Sequence, residues 1–98
     1  MQAKRESTIQ GSILKALRTQ GGWWLNVHGG NPYMPRGLPD IIGCFRGRFF
    51  AFEVKRPGEK PTPLQKATLA RMAVAGAKTA VVTSAAEAVR ALEEKDDV

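Results

Sequence analysis

The chain has a single thiol and a single imidazole: one cysteine, Cys44, and one histidine, His28, in 98 residues. A single thiol excludes an internal disulfide framework and any Cys-rich zinc site, and it fits a reducing compartment such as the cytoplasm. Long apolar runs are missing too. No stretch approaches the roughly 18 residues that a membrane helix needs, and the polar start from Met1 to Ser7 lacks the apolar core of a signal peptide. Membrane-embedded and secreted roles are therefore not expected. Acidic residues are scarce, 9 against 15 Lys and Arg, and four of them fall in the last six positions. Residues 1–92 consequently hold 14 basic and 5 acidic groups, a charge of +9 within a total of +6. Such a body suits a polyanionic partner. What is present is enough apolar side chain, 43%, to order a core. At this length the burial is modest and amounts to one domain.

Apolar residues Ile9, Ile13, Leu14 and Leu17 recur at helical spacing, with Ser7 or Thr8 as N-cap and Gly21-Gly22 as the stop. Trp23 to His28 reads as a short strand, and the glycine- and proline-rich stretch from Gly29 to Pro39 as a loop of functional length. Asp40–Phe45 and Arg48–Lys55 flank Arg46-Gly47 as a β-hairpin. Thr62 and Pro63 open a second helix that stops at Gly76, Ala77 to Thr83 forms a buried strand, and Ser84 caps a last helix. The order α-β-β-β-α-β-α describes a small α/β domain over residues 1–92, followed by an acidic tail over 93–98.

The hairpin carries the chemistry. Side chains two apart share a strand face, so Phe50, Phe52 and Val54 point to the core while Ala51, Glu53 and Lys55 point away. A two-residue turn at Arg46-Gly47 sets Asp40 opposite Glu53; one at Gly47-Arg48 sets it opposite Lys55. Either way the three share a side, whereas a three-residue turn breaks the phase unless a bulge restores it. Two carboxylates and a lysine beside a glycine-rich loop in a basic chain suggest a hard cation acting on a phosphate. Mg²⁺, or Mn²⁺ in its place, takes oxygen ligands, keeps several waters and polarises phosphoryl oxygen. Lys55 would orient the attacking water and offset charge on the phosphorus. A cross-strand salt bridge is the plainer alternative for such spacing.

The full string is more specific. Gly37-Leu38-Pro39-Asp40-Ile41-Ile42-Gly43, twelve residues between Asp40 and Glu53, and then Glu53-Val54-Lys55-Arg56-Pro57 resemble the PD-(D/E)xK nuclease core. The resemblance is closest to the VRR-NUC (virus-type replication-repair nuclease) family. It extends to Glu6-Ser7 with Ile9-Gln10, to Val27-His28-Gly29 and to Thr62-Pro63-Leu64-Gln65. It implies a restriction-endonuclease-like fold with a mixed sheet flanked by helices, and a metal-dependent DNA endonuclease. In that reading Asp40 and Glu53 bind the metal, Lys55 assists the water, Glu6 reaches the metal from the first helix, and Gln65 contributes from the second. It further implies branched DNA such as Holliday junctions as substrate, homodimers, and a bacterial or phage-infected cell.

Arg36, Arg46, Arg48, Arg56 and Lys60 are expected around the site as phosphate contacts that read no sequence. His28 stays outside the catalytic set, Cys44 reads as a buried thiol, and of Trp23 and Trp24 at least one belongs to the core. Two rivals remain: a non-enzymatic module binding structured DNA on the same fold, and a sequence-specific restriction-type nuclease, which lacks an added recognition domain here.

Overall fold

The computed structural model describes residues 5–27 and 33–94; His28, the loop residues 29–32 and the tail from residue 95 lie outside the described residues. Seven elements follow in order: α1 Glu6–Gln20, β1 Trp23–Asn26, β2 Ile41–Phe45, β3 Arg48–Val54, α2 Pro63–Val74, β4 Lys78–Val82 and α3 Ala85–Glu93. The strands form one mixed sheet in the order β1-β2-β3-β4. The first two pairings are antiparallel and β3–β4 is parallel, with α2 as the crossover that a parallel pair requires. Among the described residues no helix is long and apolar enough to cross a membrane.

The hairpin closes through Arg46 and Gly47, whose φ angles of 49° and 78° are those of a two-residue primed turn. Gly47 takes this conformation without penalty, and Arg46 takes it at a cost of about 1 kcal/mol that the ladder offsets. The turn fixes the register Ile41↔Phe52, Gly43↔Phe50, Phe45↔Arg48. Of the turns compatible with the sequence, this is the one that aligns Asp40 with Glu53.

One sheet face packs on α1 and α3. Trp24, Ile41, Phe45, Phe50, Phe52, Val54 and Val82 meet Ile9, Ile13 and Leu17 of α1 and Ala88, Ala91 and Leu92 of α3. The Phe50 and Phe52 rings stack 6.0 Å apart, and Trp24 lies 5.9 and 6.0 Å from them. Trp24 crosses β2 at Gly43, where a Cβ would overlap both the Trp23 carbonyl oxygen and the Trp24 indole. The indole N–H donates to the Gly21 carbonyl oxygen at 2.8 Å, so the ring is held at both ends.

The opposite face is divided. Because α2 packs over β3 and β4, Ala51 and Glu53 are buried as deeply as the aromatic core. The β1–β2 half lies open: Trp23 is 60% exposed whereas Trp24 is 4%. Cys44 shares the open half and is exposed, contrary to the buried thiol expected from its apolar neighbours, because its register partners are Trp23 and Phe49. The expectation of a buried last strand also fails in part. β4 is a sheet edge, so Val82 is buried and Val81 is not.

Helix starts differ in the same local way. α2 opens as expected, with Thr62 accepting from the Gln65 N–H and the Gln65 side chain accepting from the Thr62 N–H. α1 begins at Glu6, ahead of Ser7 and Thr8. Its N-cap is Arg5, whose carbonyl accepts from Thr8 and Ile9 without any side-chain cap.

Candidate active site

Pro39 has no N–H and ends the β2–β3 ladder, whose last rung is Ile41↔Phe52. Asp40 then does the pairing differently. Its N–H donates to the Phe52 carbonyl at 3.0 Å, and its carbonyl accepts from Val27 at 2.9 Å. Its carboxylate Oδ2 accepts the buried Val54 N–H at 2.7 Å, where a regular ladder would offer a main-chain carbonyl. Asp40 is therefore clamped from three sides, one rung beyond the ladder and facing Glu53.

Glu53 is 1% exposed, and among the described residues neither carboxylate oxygen has a hydrogen-bond partner. Lys55 Nζ stands 3.8 Å from its Oε1. Burial, joined by the neighbouring Asp40 carboxylate, pushes the Glu53 pKa up to about 8; Lys55 pulls it down and Glu6 adds to the rise. Lys55 is itself fixed, since its N–H donates to the Val82 carbonyl at 3.0 Å and extends the parallel pairing one residue past β3. Its side chain is largely buried.

The structure thus brings Asp40, Glu53 and Lys55 together. Glu6, on the first turn of α1, acts on Glu53 and on Arg56 through its charge. It does not complete a three-ligand cluster: among the described residues no group of three or more His, Cys, Asp or Glu is placed to hold one metal ion. Gln65 spends its Oε1 on the Thr62 N–H, which leaves its amide NH₂ for any other partner. Arg56 pairs with Glu59 at 2.7 Å just after Lys55. Arg36 and Lys60 are exposed on the loops that enter β2 and leave β3.

Arg46 and Arg48 are placed elsewhere. They sit at the turn, six or more residues from Asp40, which is about 20 Å of strand. There Arg46 lies over the Phe45 ring at 4.9 Å and faces Glu93 of α3. They do not surround the carboxylates, a separation that follows from strand length alone. What sequence reasoning missed are the backbone anchors, Val54 N–H and Val82 carbonyl. The absent N–H of Pro39 was the available signal for the first.

Two buried carboxylates, one with neither oxygen hydrogen-bonded among the described residues, fit a hard divalent cation. Mg²⁺ needs only one or two protein carboxylates, because water and substrate oxygens fill its remaining positions. The cleft of about 420 Å³ between α1 and the start of α3 is lined by residues such as Ile9, Ser12 and Ser84, and by none of Asp40, Glu53 and Lys55.

No family model matches the chain. It is 34% identical over 86 residues to "Putative nuclease p44" of Acyrthosiphon pisum secondary endosymbiont phage 1, covering 86% of this chain and 88% of that protein. A solved structure described as a VRR_NUC domain superposes with a TM-score of 0.76 at 26% identity, covering 94% of this chain and 98% of the other.

Proposed function

Since this chain belongs to the VRR-NUC family of nucleases, we propose that it is a divalent-metal-dependent DNA endonuclease selective for branched DNA such as four-way junctions. The observation that carries this reading is Glu53: a deeply buried carboxylate, without a hydrogen-bond partner among the described residues, between Asp40 and Lys55 at the end of a sheet in a chain of charge +6. Retaining such a group costs stability unless a cation uses it.

Asp40 and Glu53 hold Mg²⁺, with Mn²⁺ as a substitute, and Glu6 favours the cation at longer range through its charge. The cation supplies Lewis-acid activation of a phosphodiester and of water. Lys55 orients the attacking water through its N–H donors and offsets the negative charge that grows on phosphorus as the new P–O bond forms and the strand bond breaks. Gln65 offers its amide NH₂ to the same phosphate. Arg36, Arg56 and Lys60 contact backbone near the cut. A duplex lying along the hairpin reaches Arg46 and Arg48 about six base pairs away, at 3.4 Å per step. The enzyme works in the cytoplasm of a bacterial or phage-infected cell.

Incubation with four-way junction, flap and linear duplex DNA, each with Mg²⁺, Mn²⁺ or EDTA, tests the reading. Junction cleavage is expected with either metal and none with EDTA. Asp40→Ala and Lys55→Ala are expected to bind without cutting. Tight binding with no cutting under either metal would return the non-enzymatic module. Equal cutting of junction and duplex would remove the selectivity while leaving the nuclease.

A second copy completes the reading. α2 leaves large apolar side chains in the open: of its residues only Leu69 is buried, while Leu64 is 51% and Val74 91% exposed. Apolar surface left open on a helix fits an interface with another chain. Sedimentation equilibrium at micromolar concentration is expected to give twice the 10.7 kDa chain mass. A monomer at all concentrations would exclude the dimer.

A further inference from the structure

The open half of the sheet has no role in the chemistry above. It presents Trp23 and Leu25 of β1 and Cys44 of β2, all exposed, with Phe49 of β3 at its border beside the end of α2. Trp23, Cys44 and Phe49 form one row across three strands, and Leu25 lies in the next row towards Asp40. The rows belong to the same face as Asp40 and Glu53. By strand rise, the Trp23 row lies about 13 Å from Asp40 along β2, about four nucleotide steps of an extended or stacked strand.

Its surroundings are cationic. The Arg18 guanidinium donates to the Trp24 carbonyl at 3.4 Å and so stands at the free edge of β1, beside Trp23 and Leu25. A guanidinium on a strand edge also discourages a second sheet from adding there. Arg36, exposed on the loop that enters β2, precedes Asp40 by four residues. A flat aromatic surface with positive charge at its edge matches a nucleobase attached to a phosphate backbone. A cationic rim does not match the same cationic face of a second copy.

We infer that this half-sheet is a nucleobase platform: an unpaired base of the DNA strand that enters the Asp40–Glu53–Lys55 site stacks on Trp23, with Leu25 beneath the adjoining nucleotide and Arg18 on the phosphate. The inference rests on the nuclease reading for its substrate and adds what selects it. Base faces are hidden in an intact duplex and available where strands part, so the platform rewards branched or single-stranded DNA over linear duplex.

The experiment uses the whole protein in EDTA, where no cutting occurs, with labelled oligothymidylate, four-way junction and blunt duplex as probes. Trp23→Ala is expected to weaken oligothymidylate and junction binding about 5- to 150-fold, the range for loss of one stacked base. Duplex binding should change less than about threefold, and Trp23→Phe should recover most of the loss. Tryptophan emission of the wild-type protein should be quenched by oligothymidylate and not in Trp23→Phe, since Trp24, the remaining indole, is buried in the core. Unchanged binding in a folded Trp23→Ala, with junction cutting intact under Mg²⁺, overturns the platform and leaves the nuclease. Trp23-dependent binding and quenching in a protein that cuts nothing supports the platform and removes the nuclease. A Trp23→Ala protein whose sedimenting mass halves while its DNA affinity is unchanged assigns the face to a second copy and overturns the proposal.

Discussion

Replacing Glu53 with Gln is expected to abolish DNA cleavage, by about a thousandfold or more, and at the same time to raise the stability of the metal-free protein at alkaline pH. The first effect follows from removing one of the two carboxylates proposed to hold the cation. The second follows from linkage. The folded pKa of about 8 lies above the ordinary 4.5, because burial and the Asp40 carboxylate penalise the ionised form. The folded state therefore binds the Glu53 proton more tightly than the unfolded chain does. Stability from this group is whole below about pH 4.5 and is lost as pH rises through 8. Denaturant titrations in EDTA should show wild type and Glu53→Gln converging below pH 5 and the variant ahead at pH 9 by on the order of a few kcal/mol. Mg²⁺ should narrow that gap at pH 9 by stabilising only the wild type. Equal stability of the two proteins at pH 9 would mean that Glu53 ionises without penalty and that the case for a cation there is lost.

Gly43→Ala is expected to be the most destabilising small substitution in the sheet. A methyl group at residue 43 has nowhere to go, since it meets the Trp23 carbonyl oxygen and the Trp24 indole at once. The indole is pinned by its bond to Gly21 and by the Phe50 and Phe52 rings, so the neighbours cannot yield cheaply. A loss of about 3 kcal/mol is expected, lowering Tm by about 10–20 °C in a domain of this size. Gly11→Ala is the contrast. Gly11 lies within α1, exposed, with nothing within 4 Å of a Cβ. There the same change should add about 0.5–1 kcal/mol through helix propensity. Scanning calorimetry of the two variants gives opposite signs, and a Gly43→Ala protein that melts with the wild type would refute the close crossing of Trp24 over β2.

The order of elements, the hairpin and the sharing of one face by Asp40, Glu53 and Lys55 were legible because they depend on periods and turn chemistry, which are local. Three features were not. Ala51 and Glu53 are buried because α2 crosses back over β3 and β4, and the strand pattern of residues 48–55 says nothing of what covers its second face. Cys44 is exposed for the converse reason, as α2 does not reach over β1 and β2. Helix α1 starts at Glu6 without a side-chain cap, against the local preference for Ser7 or Thr8, because backbone bonds to Arg5 suffice. Local signals place residues on a strand or a helix; the depth of Glu53, on which the site depends, is a tertiary result.

The two-residue turn at Arg46-Gly47 has a consequence for how this chain can vary in length. A strand side alternates with every residue, so the turn acts as a reading frame for the pair of carboxylates. Insertions or deletions of two between Asp40 and Glu53 lengthen or shorten the hairpin and return both groups to the same side. A change of one sends them to opposite sides of the sheet unless a bulge absorbs it. The interval of twelve residues is in this sense quantised, and a nuclease built on this hairpin drifts in size by even steps unless a bulge takes up the odd residue.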